Sequence, residues 1–534
     1  MSIRSRILFS LAGVACGITP LGAQARPLPA QDKVPRFVVF ITIDQFRADY
    51  LDRFKDQFTG GLARLLRGGA VFTNGFQDHA TTETAPGHAS TLSGRFPEHT
   101  GIVRNSAGVL DPQAPLVGTI PGATLAGASP YRFRGGTLID WIRMKDWRSR
   151  ALSVSRKDRA AILPLGRAHQ SVYWYDPSSG KFTTSTYYAD TLPAWLVKFN
   201  DRRLPASFAG KSWTPLLEVR SYPEPDSVPA ENQGSNFMFP HVLAADTTQA
   251  LAGITDMPWM DELTLQVAST GYRAMNLGAG DATDLLAVSL STTDAVGHRY
   301  GMDSRELHDQ VIRVDRMLGA FFDSLFAVRD STRVVIALTG DHGVAPVPEV
   351  YAAQHHVPLQ RLNFAPIAAK YQQALTQRGV DPNAFVFDDA MLLVDRAEFA
   401  RAKVNADSTV NAFATEVKAL PGVLRVDRPA ALVKDTLKDT IARRWVHSLT
   451  PDMPVELVVT LKPYDVWGAT PAGVHGSPND YDAQVPVVFW GAPFKPGRYQ
   501  TTVRVVDMAP TLAWVTATTP TEVLDGHVLW EALR

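Results

Sequence analysis

Cysteine is almost absent from this 534-residue chain, which has one, Cys16. Disulfide cross-links and thiolate ligands are thereby excluded beyond that position. Neither sign of charge is in excess: 53 Lys and Arg stand against 53 Asp and Glu, a formal net charge of zero. No global field draws the chain to nucleic acid or an anionic membrane, so an anionic ligand has to be met by local cations. Long apolar runs are also missing. The apolar stretch at residues 7–18 is too short to span a bilayer. Internal repeats and long low-complexity segments are not found either.

That early stretch has another reading. Arg4 and Arg6 precede it, and Ala23-Gln24-Ala25 follows as a small-x-small cleavage site. The three parts together predict a secretory signal peptide over residues 1–25. Cys16 lies inside it, so the mature chain is expected to hold any metal with His and carboxylate alone, a donor set that suits zinc.

The rest of the chain alternates between two patterns. Residues 37–43, 151–155, 285–290, 334–338 and 485–490 are short, apolar and rich in β-branched side chains, as parallel strands covered on both faces are. Residues 61–66 and 304–328 carry apolar side chains at helical spacing, the second with Val311, Val314, Leu318, Phe321, Phe322 and Leu325. The alternation predicts an α/β fold with a mainly parallel central sheet flanked by helices. Two stretches break the rhythm, at about 170–260 and about 350–480. The second contains a helical piece at 399–420 and a strand at 455–461. Both read as cap insertions over the strand ends.

Polar residues fall at informative places. The strand at 37–43 ends in Asp44, the strand at 285–290 leads to Asp294 and His298, and the strand at 334–338 leads to Asp341-His342-Gly343. Open α/β sheets bind ligands beyond the carboxyl ends of their strands. His475, flanked by Gly473 and Gly476, adds a loop histidine. A lone Asp or His at such a place is usually a cap or a structural residue. Three carboxylates and three imidazoles on one rim suit two divalent cations. Thr84 opens Thr84-Ala85-Pro86-Gly87-His88, where Pro86 fits a first helical turn and Gly94 a helix end. The alternatives for Thr84 are an N-cap and a nucleophile at an anion-binding helix start.

These motifs, together with Gly101-Ile102-Val103-Arg104-Asn105 and Lys157-Asp158-Arg159, run in order over nearly the whole chain. In that order the sequence resembles the alkaline phosphatase superfamily. Within it, the likeness is to the phosphate-irrepressible alkaline phosphatase group, relatives of the type I phosphodiesterases and nucleotide pyrophosphatases. The resemblance implies one catalytic unit over residues 26–534 that hydrolyses phosphate monoesters through a phosphothreonine at Thr84, with two Zn2+. One zinc is expected on Asp294, His298 and His475. The other is expected on Asp44, Asp341 and His342, with Thr84 as its exchangeable ligand. Asn105, Lys157 and Arg159 are expected to contact the phosphoryl oxygens, since a monoester dianion carries more charge than a diester. His88 is expected only to pack. A phosphodiesterase on the same scaffold is the alternative. The expected partners are small-molecule phosphate esters, without nucleic-acid-specific binding or stable membrane insertion after signal cleavage. A monomer in the periplasm or secreted medium is expected.

Overall fold

The computed structural model describes residues 28–118, 126–468 and 471–534. The expected signal peptide lies outside the described residues. Ten strands form the main sheet: β1 (Phe37–Ile43), β2 (Ala70–Phe76), β3 (Ala151–Ser155), β4 (Ser171–Asp176), β5 (Lys181–Thr183), β6 (Asp284–Leu290) and β7 (Val334–Gly340) come first. Four strands of a separate antiparallel sheet follow: β8 (Phe385–Asp388), β9 (Met391–Val394), β10 (Val423–Asp427) and β11 (Val455–Leu461). The chain then returns to the main sheet with β12 (Gln484–Trp490), β13 (Gly497–Tyr499) and β14 (Val503–Arg504). The spatial order is β13-β2-β12-β7-β1-β6-β3-β4-β5, with β14 also on β2.

β1 lies between β6 and β7 and is parallel to both. Its seven residues are all buried, because helices cover both faces of the sheet. Val39 and Ile41 join one apolar cluster, and Val38 and Phe40 join the cluster on the opposite face. The main helices are α1 (Gly61–Gly68), α2 (Thr84–Ser93), α3 (Leu138–Lys145), α4 (Asp158–Ile162), α5 (Trp259–Ala274), α6 (Thr292–Tyr300) and α7 (Arg305–Phe326). α7 shows how sequence becomes packing. Its Ser304 side chain accepts a hydrogen bond from the Leu307 N–H, and Val311, Val314, Leu318, Phe322 and Leu325 are buried along one side. Burying each such side chain contributes about 1.5–3 kcal/mol.

The mainly parallel, helix-flanked sheet agrees with the sequence reading, with three differences. β12 is buried as expected, yet it runs antiparallel to both β2 and β7. A doubly covered strand is apolar whichever way it runs, so its pattern carries no direction. β4 and β5, at the start of the stretch assigned to an insertion at 170–260, belong to the main sheet. The helical piece at 399–420 is two helices, Arg396–Arg401 and Ala406–Lys418, broken where Lys403 takes φ 57°. Such a backbone ends a helix.

The second sheet has its own apolar cluster, built on Phe385, Phe399, Phe413 and Val459. It is tied to the main body through Ala80, Met391, Trp445 and Val458. Beside that seam the buried carboxylate of Asp78 gathers Arg443 at 2.9 Å, Arg504 at 3.0 Å and Arg444 at 3.4 Å. Removing it takes the shared buried partner from all three arginines at once, although Arg444 keeps Asp480 at 2.8 Å. Asp78→Ala is therefore expected to lower stability by about 3 kcal/mol, read from equilibrium denaturation. An unchanged midpoint would show that Asp78 does not hold the seam.

Candidate active site

The register of three strands builds the site. Ile43 of β1 stands beside Leu290 of β6 and Gly340 of β7, and Ser155 of β3 beside Ser289. The residues after those positions therefore emerge side by side. Asp44 follows β1, Asp294 lies in the first turn of α6, and Asp341 and His342 follow β7. His298 is one helical turn beyond Asp294, and His475 arrives on the loop before β12.

Two groups of donor atoms result. Asp294, His298 and His475 form one, and Asp44, Asp294 and His342 form the other. His298 Nε2 is 3.2 Å from Asp294 Oδ1, and His475 Nε2 is 3.7 Å from the same oxygen. His342 Nε2 is 3.4 Å from Asp44 Oδ1 and 3.7 Å from Asp341 Oδ2. Asp294 thus faces both groups, which differs from the expected division. Asp341 stands at the margin of the second group. Its Oδ1 accepts from the backbone N–H groups of Gln45 and His342, each at 3.0 Å.

Each of these histidines has its outer nitrogen on a backbone carbonyl. His298 Nδ1 meets Gly473 O at 2.8 Å, His475 Nδ1 meets Thr82 O at 2.8 Å, and His342 Nδ1 meets Gly343 O at 2.9 Å. A carbonyl only accepts, so Nδ1 carries the proton and Nε2 turns inward. This is the arrangement that orients imidazoles as metal ligands. Among the inward atoms, Asp44 Oδ1, Asp341 Oδ2 and His342 Nε2 are buried without a hydrogen bond, while Asp44 Oδ2 meets only the Lys157 ammonium. His298 Nε2 and His475 Nε2 lie only 3.2 Å apart. Buried polar atoms rarely go unsatisfied, and cations between them would satisfy these. The donor set fits two divalent ions.

Lys157 supplies positive charge there now. Its Nζ is 2.7 Å from both Asp44 Oδ2 and Asp294 Oδ2 and 3.3 Å from Thr84 Oγ1. Burial pushes both carboxyls up, but Lys157 and the neighbouring histidines outweigh it and hold both well below the usual range. Burial pulls His342 down, but Asp341 and Asp44 push it up to about 9. His475 is held well below the ordinary histidine value by burial and by His342 and His298.

Thr84 is the first residue of α2 and is buried, with Glu83 at the N-cap position. The Ala85 N–H is not free for an anion: it donates to Asn105 Oδ1 at 2.9 Å. That contact ties Asn105 beside Thr84 and leaves its amide protons for another acceptor. Arg159 is brought less close. It pairs with its neighbour Asp158 at 3.8 Å and makes no ion pair with the ligand groups, while its Nε is buried without a hydrogen bond. Beside His475 opens a cavity of about 270 Å3, walled by Glu83 from the main body and by Phe364, Phe387 and Trp467 from the second sheet's side.

Three residues gain contacts that their sequence context does not announce. His88, expected only to pack, donates from Nδ1 to Thr84 O at 2.9 Å and lies 3.1 Å from Asp341 Oδ2. Glu83 accepts from the Asn105 N–H at 2.7 Å, and burial together with Asp389 pushes its carboxyl up to about 7. Gln45 touches Asp341 and Asp294, from opposite sides of β1. The only sequence signal for each was its place inside a motif.

The sequence model of type I phosphodiesterase/nucleotide pyrophosphatase matches residues 38–463. The chain belongs to that family. Members similar to it include the alkaline phosphatase PhoV of Synechococcus elongatus, 30% identical over 95% of each chain. Alkaline phosphatase PafA of Elizabethkingia meningoseptica is 30% identical over 90% of this chain and 91% of its own. The crystal structure of wild-type PafA superposes with a TM-score of 0.86 at 29% identity, covering 94% of this chain and 99% of that one. Within that family assignment, this chain places the Lys157 ammonium deep in its site, 3.3 Å from Thr84 Oγ1.

With His342 pushed up to about 9, the metal-free site holds a proton there at neutral pH. A divalent cation that takes Nε2 must expel it. Metal uptake is therefore expected to release protons below pH 9, with apparent affinity rising as pH approaches that value. Calorimetric titration in buffers of different ionisation enthalpy measures this. Uptake without proton release at neutral pH would contradict the assignment.

Proposed function

We propose that this protein hydrolyses phosphate monoesters to an alcohol and inorganic phosphate, with Thr84 as the nucleophile and two Zn2+ as cofactors. The observation that carries the reading is the contact of a buried helix-start hydroxyl with a buried ammonium: Thr84 Oγ1 lies 3.3 Å from Lys157 Nζ. The same ammonium sits against the carboxylates of both ligand groups. The names of the relatives as alkaline phosphatases support it further.

Asp294, His298 and His475 would hold one zinc. Asp44, Asp341 and His342 would hold the other, with Thr84 as exchangeable ligand. When bound, zinc acidifies a ligand hydroxyl and offsets charge on reacting oxygens. The protein's own residues do the rest. α2 fixes Thr84 for in-line attack, so its oxygen forms a bond to phosphorus as the bond to the leaving alkoxide breaks. The Thr84 hydroxyl gives up its proton to solvent and the leaving alkoxide takes one from solvent, so the products are phosphothreonine and an alcohol. Water then attacks phosphorus, and the bond to the Thr84 oxygen breaks to give phosphate. Lys157 meets the charge on the non-bridging oxygens, and Asn105 donates to them from the amide that the Ala85 contact orients. Arg159 has a free buried Nε with which to join them. The cavity walled by Phe364, Phe387 and Trp467 receives the leaving group.

The further expectations fit this reading. The substrates are small phosphate esters, the chain is exported after removal of residues 1–25, and it acts as a monomer without nucleic-acid-specific binding. Among the described residues no helix is long and apolar enough to cross a membrane.

The test compares kcat/KM for a phosphate monoester and a matched diester, with Lys157→Ala and Arg159→Ala alongside. Each substitution is expected to reduce monoester turnover by roughly 100–1,000-fold, the usual loss of a transition-state donor, and to spare the diester. Preference for the diester in the unaltered protein would overturn the substrate assignment and favour the phosphodiesterase alternative. Thr84→Ala is expected to keep its metal and lose nearly all turnover. Acid quenching of the unaltered enzyme should trap phosphate on Thr84, detectable by peptide mass spectrometry. A Thr84→Ala protein that turns over normally would exclude Thr84 as nucleophile.

A further inference from the structure

Gln45 follows Asp44 at the end of β1 and is wholly buried. Its backbone takes φ 62°, the left-handed region that residues with side chains seldom occupy. Glycine is the residue that ordinarily takes such a place. A side chain kept there needs a reason, and its contacts supply one. The turn aims the Gln45 N–H at Asp341 Oδ1, 3.0 Å away beyond β7. It aims the side-chain Nε2 at Asp294 Oδ1, 3.0 Å away beyond β6. Since β1 lies between those two strands, one residue reaches a carboxylate on each side.

The surroundings are shaped to this amide. A Cβ on Gly297 would overlap the Gln45 side-chain oxygen. The glycine of Asp294-x-x-Gly297-His298 is thereby required for Gln45 to reach Asp294. The orientation of the amide is also fixed, because a carboxylate accepts only from the nitrogen end. The oxygen end is buried against Gly297 without a hydrogen bond.

We propose that Gln45 is a positioning residue that ties the two metal-ligand groups together, setting the Asp341 carboxylate through its backbone and the Asp294 carboxylate through its side chain. The proposal rests on the two-metal reading above. Partners behind metal ligands typically govern metal affinity by roughly 10–100-fold. Gln45→Gly accepts the left-handed backbone and removes the amide. Gln45→Met keeps the volume and removes only the donor.

The readout is Zn2+ binding to the full-length mature chain, by competition with a chromophoric chelator, alongside circular dichroism of the metal-free protein and kcat/KM. Both variants are expected to fold, to bind zinc roughly 10–100-fold more weakly, and to lose activity that added zinc partly restores. If Gln45→Met does not fold, Gln45→Gly alone decides. Wild-type zinc affinity in Gln45→Gly overturns the proposal, whether or not Gln45→Met is impaired, because the amide would then be dispensable. An unaltered chain that binds no zinc overturns the two-metal reading and this proposal with it, whereas normal zinc binding in wild type and Gln45→Gly alike overturns only this one.

Discussion

Three carboxylates crowded at the ends of adjacent strands are the constraint from which the rest of the active face follows. Asp44, Asp294 and Asp341 are all buried, and they are brought together by the in-register parallel strands β1, β6 and β7. Buried anions at this spacing repel, and each has lost its water. Everything around them offsets that penalty. Lys157 bridges two of them, the backbone turn at Gln45 donates to the third, and three imidazoles turn their inner nitrogens toward them. The same crowding makes the site a place for divalent cations. The sheet holds the ligands close before any ion arrives, so what binding chiefly requires is withdrawal of the Lys157 ammonium from Asp44 and Asp294.

Two layers of chemistry meet at this rim. In the proposed reading, the ligands come from the segments after β1, β6 and β7 and from the His475 loop, and α2 contributes the hydroxyl. The second sheet contributes neither. Its Phe387, with Phe364 and Trp467 packed beside it, supplies the aromatic wall near His475, and the Asp78 cluster holds it in place. On the proposed reading, reaction chemistry falls to the main body and the shape of the leaving-group side to the second sheet and its surroundings. A change in the inserted unit can then alter which alcohol is accommodated without disturbing the metal ligands.

How much of this the sequence discloses depends on the range of the interaction. The strands at 37–43 and 151–155 are legible to the residue, because a doubly covered strand must be apolar throughout. Asp44, Asp294 and His342 are legible as a rim because each follows such a run. The antiparallel direction of β12 is not legible, since direction leaves no trace in an apolar pattern. The break at Lys403 is missed because nothing local demands a left-handed backbone at a lysine. The double contact of Asp294 and the roles around Asp341 of His88 and Gln45 depend on groups far apart in the chain: His88 meets Asp341, and Gln45 meets Asp294. Spacing along the chain does not record such meetings.

In the proposed chemistry, cations replace Lys157 between the carboxylates. The most direct measurement is a crystal structure of the zinc-loaded protein with anomalous scattering recorded at the zinc edge, supported by metal analysis of the same sample. Two anomalous peaks are expected, one among Asp294, His298 and His475 and one among Asp44, Asp341 and His342, with the Lys157 ammonium drawn away from Asp44 and Asp294. Protein that takes up no zinc and keeps both Lys157 ion pairs would contradict this chemistry.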